Sequence, residues 1–335
     1  MIMDGIEVRQ HQLSYDKIVK NTLAQSDDVT IRFINGLLGD NIPLGVPVEW
    51  MDKESVTGRH TAIIGDFYLK IDGKMYALEI ESDDRGGMTV RVFKYAVGGA
   101  MLHGMSATDE SLDITFPQPC VVFLKSKADT PQNLTWNISF FDGQKVTLQV
   151  PVVRLAEFSV EEIAQRNLLP IGQFYLRTFE TLTGGKVEGF RNAAAALLKE
   201  LREAIERERI PYYIGMQMQD TIRKTLENTL VRSEQEVGFA MDTNIVETLP
   251  WIDYRELLAK IEERGRNEGR TEGRNEGRSE GRSEGKVERD REIAAAAFSR
   301  LGSGGDVPAT VKLLKSLGIP ADAIKAAQEQ AAGRQ

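Results

Sequence analysis

Residues 65–82, GDFYLKIDGKMYALEIES, constrain the chain more tightly than any other stretch. Two runs of alternating apolar residues flank Asp72-Gly73, a strong short-range hairpin signal, so a strand is expected on either side of that dipeptide. Side chains alternate faces along a strand, so Glu79 and Glu81 share one face of the second strand, and Asp66 has the parity of Tyr68 and Lys70 on the first. With the turn at Asp72-Gly73, Asp66 falls opposite or nearly opposite Glu79. The pattern thus brings three carboxylates within reach of one point.

Close like charges repel, raise one another's pKa values and weaken strand pairing. Two readings resolve this. The face is wet and the carboxylates solubilise it, or they surround a divalent cation, which reverses the repulsion. The single cysteine, Cys120, and three scattered histidines, His11, His60 and His103, exclude a multi-cysteine site and a zinc-ligand spacing. A metal here is therefore held by oxygen, as Mg²⁺ commonly is. Cys120 itself, inside CVVFL, reads as a small core residue.

Around this hairpin the chain alternates between helical and strand patterns. YDKIVKNTLAQSDDVTIRFINGLLG, from Tyr15 to Gly39, reads as one or two helices, with Ile31, Ile34, Leu37 and Leu38 on one stripe and Gly39 as a C-cap. VPVEWM is a short strand, Met88–His103 a helix weakened near its end by Gly98 and Gly99, and CVVFLK a buried strand. A second hairpin is expected in LTWNISFFDGQKVTLQV, turned at Asp142-Gly143. Ser159 and Glu162 then form a capping-box pattern, and helices continue to about Leu258, the clearest of them ended by Pro211.

The 335-residue chain is long enough for more than one domain, and its 41% hydrophobic content suits a globular fold. No apolar run approaches the roughly 20 residues that span a bilayer, and MIMDGIEVRQ lacks the basic start and apolar centre of a signal peptide, so a cytoplasmic protein is expected. A net charge of −8 argues against a protein that coats nucleic acid by broad phosphate neutralisation, while leaving room for a local basic groove.

Helix, three strands, helix, strand, with Asp66 on the second strand and Glu79 on the third, resembles the PD-(D/E)xK nuclease superfamily and, more narrowly, the Rpn family of recombination-promoting, transposase-like nucleases. YDKIVK, GDFYLKIDGKMYALEIES, RVFKY, PCVVFLK and VPVVRLAEFS carry the resemblance. It implies an α/β, restriction-endonuclease-like core of order αβββαβ. It also implies a metal-dependent DNA endonuclease linked to recombination or mobile elements, using Mg²⁺ or else Mn²⁺ or Ca²⁺. By the resemblance Asp66 and Glu79 are the metal ligands. Glu81 stands where most of the superfamily has lysine, and Ile64 where relatives tend to carry a basic residue. A carboxylate at position 81 can orient water or bind metal but supplies no positive charge. Lys70, or Lys94 on the next helix, is expected to supply it, with Arg91 and Tyr95 as further DNA-phosphate candidates. The catalytic set expected is Asp66, Glu79, Glu81 and Lys94. The alternative is a catalytically silent relative that binds DNA or oligomerises.

Residues 265–288, GRNEGRTEGRNEGRSEGRSEGKVE, place glycine at every fourth position, followed by Arg or Lys and, three residues on, Glu. As a helix the segment is poor alone: six glycines cost about 5–6 kcal/mol relative to alanine, and within the repeat charged i,i+4 neighbours are like-signed. A charge-balanced linker and a helix ordered by oligomerisation are both compatible with it. REIAAAAFSRL, VPATVKLLKSLG and IPADAIKAAQEQ follow as three expected short helices, whose Lys312, Lys315 and Lys325 leave DNA binding and assembly as open roles. The division expected is 1–158 nuclease-like domain, 159–259 helical region, 260–292 repeat and 293–335 terminal helical module, with DNA and a homo-oligomer as partners and no membrane.

Overall fold

The computed structural model describes residues 15–51, 67–83, 86–179, 182, 186–237, 244–300 and 306–332. It divides into two units, Met1–Tyr254 and Arg255–Gln335, so that the sheet and the helices following it fall in one unit. The architecture is α/β, with eleven α-helices and a mixed sheet among the described residues.

In the first unit the Tyr15–Gly39 pattern becomes two helices, α1 (Tyr15–Leu23) and α2 (Asp27–Leu38). Ser26 separates them by accepting from the Val29 N–H, and Gly39, at φ 76°, returns its own N–H to the Asn35 carbonyl. β1 (Val48–Trp50), β2 (Phe67–Ile71) and β3 (Lys74–Asp83) run antiparallel. Asp72 and Gly73 take φ of 48° and 78°, and Ile71 lies opposite Lys74, the two-residue turn that the dipeptide predicts. β2 is described from Phe67 onward; Ile64 and Asp66 lie outside the described residues.

α3 (Met88–His103) then crosses to β6 (Gln118–Lys125), which pairs parallel with β3. A small two-stranded sheet, β4 (Met105–Ala107) with β5 (Leu112–Ile114), interrupts this crossover and has no counterpart in the expected pattern. β7 (Asn133–Ser139) and β8 (Lys145–Arg154) form the second hairpin, with Gly143 at φ 88°, and β8 joins β6 in parallel. The strand order is β1-β2-β3-β6-β8-β7.

Two cores result from the alternation of side chains. Val121, Phe123, Leu134, Trp136, Val150 and Val152 form the floor beneath Met88, Val92 and Ala96 of α3. Phe67, Leu69, Ile71, Tyr76, Leu78 and Ile80 occupy the other parity and are buried as well, which is why β2 reads as almost continuously apolar.

The remaining helices of this unit are α4 (Val160–Gln165), α5 (Leu169–Gly172), α6 (Lys186–Glu206), α7 (Tyr212–Val237) and α8 (Asn244–Thr248). The capping box of Ser159 and Glu162 forms at the start of α4. Pro211 does not end α6, contrary to expectation: α6 stops at Glu206, the chain reverses through Glu208 at φ 55°, and Pro211 instead accepts the first turn of α7 through its carbonyl, from Gly215 at 3.0 Å. Proline lacks an N–H and is tolerated at a helix start.

α9 (Tyr254–Ser299) carries the repeat as one helix into the second unit, and its exposed repeat is polar all round. The first of the three expected short helices is its C-terminal end, not a separate element. α10 (Val307–Ser316) and α11 (Ala321–Ala332) fold back on that end, burying Leu314, Ile319 and Ile324 against Ala294 and Phe298. Lys312, Lys315 and Lys325 are exposed.

Candidate functional site

Directly paired residues of neighbouring strands project to the same face, so the register decides which side chains meet. Tyr68 lies opposite Ala77 and Lys70 opposite Met75, while Glu79 and Glu81 lie beside Val121 and Phe123 of β6. Glu79 and Glu81 therefore project from the face that α3 covers. Glu79 is only 5% exposed, in the middle of a strand paired on both sides. A carboxylate buried to this degree needs polar compensation, and Glu79 is not without a partner within the fold.

Glu81 is met from above. Arg91, in the first turn of α3, donates through Nη2 to Oε1 of Glu81, and the same nitrogen lies 3.5 Å from the Met88 sulfur. The two side chains retain exposures of 42% for Arg91 and 26% for Glu81, so the pair borders solvent. The guanidinium Nε is buried without a partner. α3 is brought to this place by Gly86 and Gly87, both with positive φ of 79° and 72°, a conformation that side-chain-bearing residues rarely adopt. Trp136 of β7 fixes the same end by donating to the Thr89 carbonyl at 3.3 Å.

The other candidates are placed differently. Lys70 is exposed and four positions along the sheet from the Glu79 register, about 13 Å at strand spacing, so it does not join Glu79 and Glu81. It faces Glu49 across the β1–β2 pair. Lys94 is exposed on α3, one turn beyond Arg91. Tyr95 is partly buried, and its carbonyl accepts the Tyr68 hydroxyl at 2.6 Å. Asp66 lies outside the described residues, and among the described residues no group of three or more His, Cys, Asp or Glu side chains is placed to hold a metal. Cys120 is fully buried and its thiol is pushed up to about 12 by that burial, which leaves no thiolate for nucleophilic chemistry. His103 is exposed; His11 and His60 fall outside the description.

The Arg91–Glu81 pair was not legible in the sequence. The signal available was the shared helix face of Arg91 and Tyr95, and no local spacing reports which strand residue a helix residue will meet. The carboxylates on this face are Glu79, buried, and Glu81, which borders solvent and is paired to the Arg91 guanidinium. Compared with known proteins, the chain matches no family model, no curated protein and no solved structure. Among the described residues no helix is long and apolar enough to cross a membrane.

Proposed function

We propose that the α3-covered face of β3 is the site of a Mg²⁺-dependent DNA endonuclease of the restriction-endonuclease-like class, related in role to the recombination-promoting nucleases that the sequence resembles. The observation that supports this reading is Glu79: a glutamate buried in the central strand, two positions from a second carboxylate on the same face.

Glu79, together with Asp66, would hold the cation; Mn²⁺ or Ca²⁺ suits the same oxygen donors. When bound, such a cation lowers the pKa of its water and neutralises charge on a phosphodiester oxygen. The chain's own residues supply the rest. Glu81 holds Arg91 in place, and the partly exposed guanidinium is then presented to a backbone phosphate with little ordering left to do. Lys94, exposed one turn further on, provides a second phosphate contact. In this reading Glu81 positions a cation as its main task, and the positive charge comes from the helix. The C-terminal unit serves assembly, as a long exposed polar helix with six glycines needs support from outside itself.

A second reading is favoured by the same Arg91–Glu81 contact: an arginine already neutralised by a carboxylate suits a silent relative that binds DNA or oligomerises without cleaving it. Nicking of supercoiled plasmid by the full chain, with and without Mg²⁺, separates the two. Metal-dependent nicking that disappears in Asp66→Ala and Glu79→Ala is the outcome expected of the endonuclease. A folded wild-type protein that cleaves nothing across a range of Mg²⁺ and Mn²⁺ overturns it.

A further inference from the structure

α2, α4, α5, α6 and the α6–α7 connection close around one small cavity of about 10 Å³, none of whose lining residues lies on β3. Its lining is apolar at Val29 and Ile210, but two arginines also reach it, Arg32 from α2 and Arg209 from the connection, with Asn167 between α4 and α5. No acidic side chain is among the described lining residues. Arg209 donates through its Nη1 to the Ala164 carbonyl at 3.4 Å near the C-terminal end of α4. Both guanidiniums have a buried Nε without a hydrogen-bond partner, and among the described residues neither arginine is paired with a carboxylate.

Two permanently charged guanidiniums sharing a cavity repel, and they offer only donors. A neighbouring water relieves an unsatisfied donor but not the charge. An anion does both, and the planar fork of arginine matches the oxygens of phosphate closely. We infer that this cavity is an anion site in which Arg32 and Arg209 grip a phosphate-class oxyanion. The cavity has room for about one oxygen atom and both arginines are partly exposed, so a single phosphate oxygen would enter it while the rest of the anion stays outside. Asn167 also lines the cavity. The site does not depend on the nuclease reading, since none of its residues belongs to the β3 face.

Thermal unfolding of the full chain in inorganic phosphate, against chloride at equal ionic strength, tests it. Saturating phosphate is expected to raise the wild-type midpoint by roughly 2–4 °C, as ligation of the native state does for a domain of this size. Arg32→Gln and Arg209→Gln are each expected to abolish the rise, and Arg32→Lys and Arg209→Lys, which keep the charge but lose the fork, to retain only part of it. The lysine variants carry the test if a glutamine variant fails to fold. Equal midpoints in phosphate and chloride overturn the proposal. So does a rise that survives both glutamine variants, or one that is lost in Arg91→Gln, which would move the anion to the β3 face.

Discussion

The hydroxyl of Tyr68 on β2 donates to the carbonyl of Tyr95 on α3 at 2.6 Å, and the same ring lies against Gly99 one turn further along that helix. A Cβ at Gly99 would sit 2.4 Å from Cε1 of Tyr68, so the glycine that weakens the helical pattern is what lets α3 settle on the sheet. α3 accordingly runs through Gly98 and Gly99 to His103. Tyr68→Phe is expected to cost about 1 kcal/mol through the lost hydrogen bond, and Gly99→Ala about 1–3 kcal/mol through overpacking. Urea unfolding of the two variants measures both.

The Arg91–Glu81 pair makes a separate prediction because it borders solvent. A double-mutant cycle of Arg91→Gln and Glu81→Gln should return a coupling below about 1 kcal/mol in stability, as ion pairs of this exposure do. If Arg91 contacts the phosphate, its glutamine variant should nevertheless lose about 10²-fold in plasmid nicking, the usual loss for a preorganised donor to developing charge. A structural ion pair alone would leave nicking close to wild type.

Alkaline pH should weaken the fold. Burial holds the Cys120 thiol at about 12 against an ordinary value of 9.0. Burial first, and then the 2.7 Å hydrogen bond to Asp40, raise the Tyr76 phenol above its ordinary 10.0. For both groups the native state keeps protons that the unfolded chain releases, so their contribution is complete below the unfolded pKa and is lost as pH rises through the folded one. The urea midpoint should therefore fall between about pH 9 and pH 12, and less steeply in Cys120→Ala. At neutral pH the single thiol should react with a disulfide reagent only after unfolding.

The repeat glycines offer a test in the opposite direction. Nothing lies within 4 Å of a Cβ built at Gly265, Gly269, Gly273, Gly277, Gly281 or Gly285. Alanine at all six should stabilise that stretch of α9 by about 5–6 kcal/mol of intrinsic helix propensity. Slower proteolysis within residues 265–288 is the expected result. Faster cleavage, or loss of self-association, would show that the glycines serve close packing against another chain.

Several features were readable from sequence because they are local. The Asp72-Gly73 turn, the alternation that puts Glu79 and Glu81 on one face, the Ser159–Glu162 capping box and the Gly39 C-cap each depend on residues within a few positions of one another. Others did not follow the expected pattern. Gly99 is kept by Tyr68 from another element, whereas α6 ends at Glu206 in a local reversal through Glu208 before Pro211 is reached, and β4 and β5 are three-residue strands too short for alternation to show. The repeat is a helix despite its glycines, with ion pairs at its leading edge from Glu262 to Arg266 and from Arg264 to Glu268.

The sequence by itself thus determined the hairpin, its register and the common face of Glu79 and Glu81, since backbone geometry repeats every two residues on a strand and a two-residue turn leaves little freedom in pairing. Only the tertiary structure decided that Glu81 meets Arg91 and that Arg32 and Arg209 share one cavity. Those outcomes depend on how helices settle on the sheet and on one another, where burial and close packing act between residues that no periodicity connects.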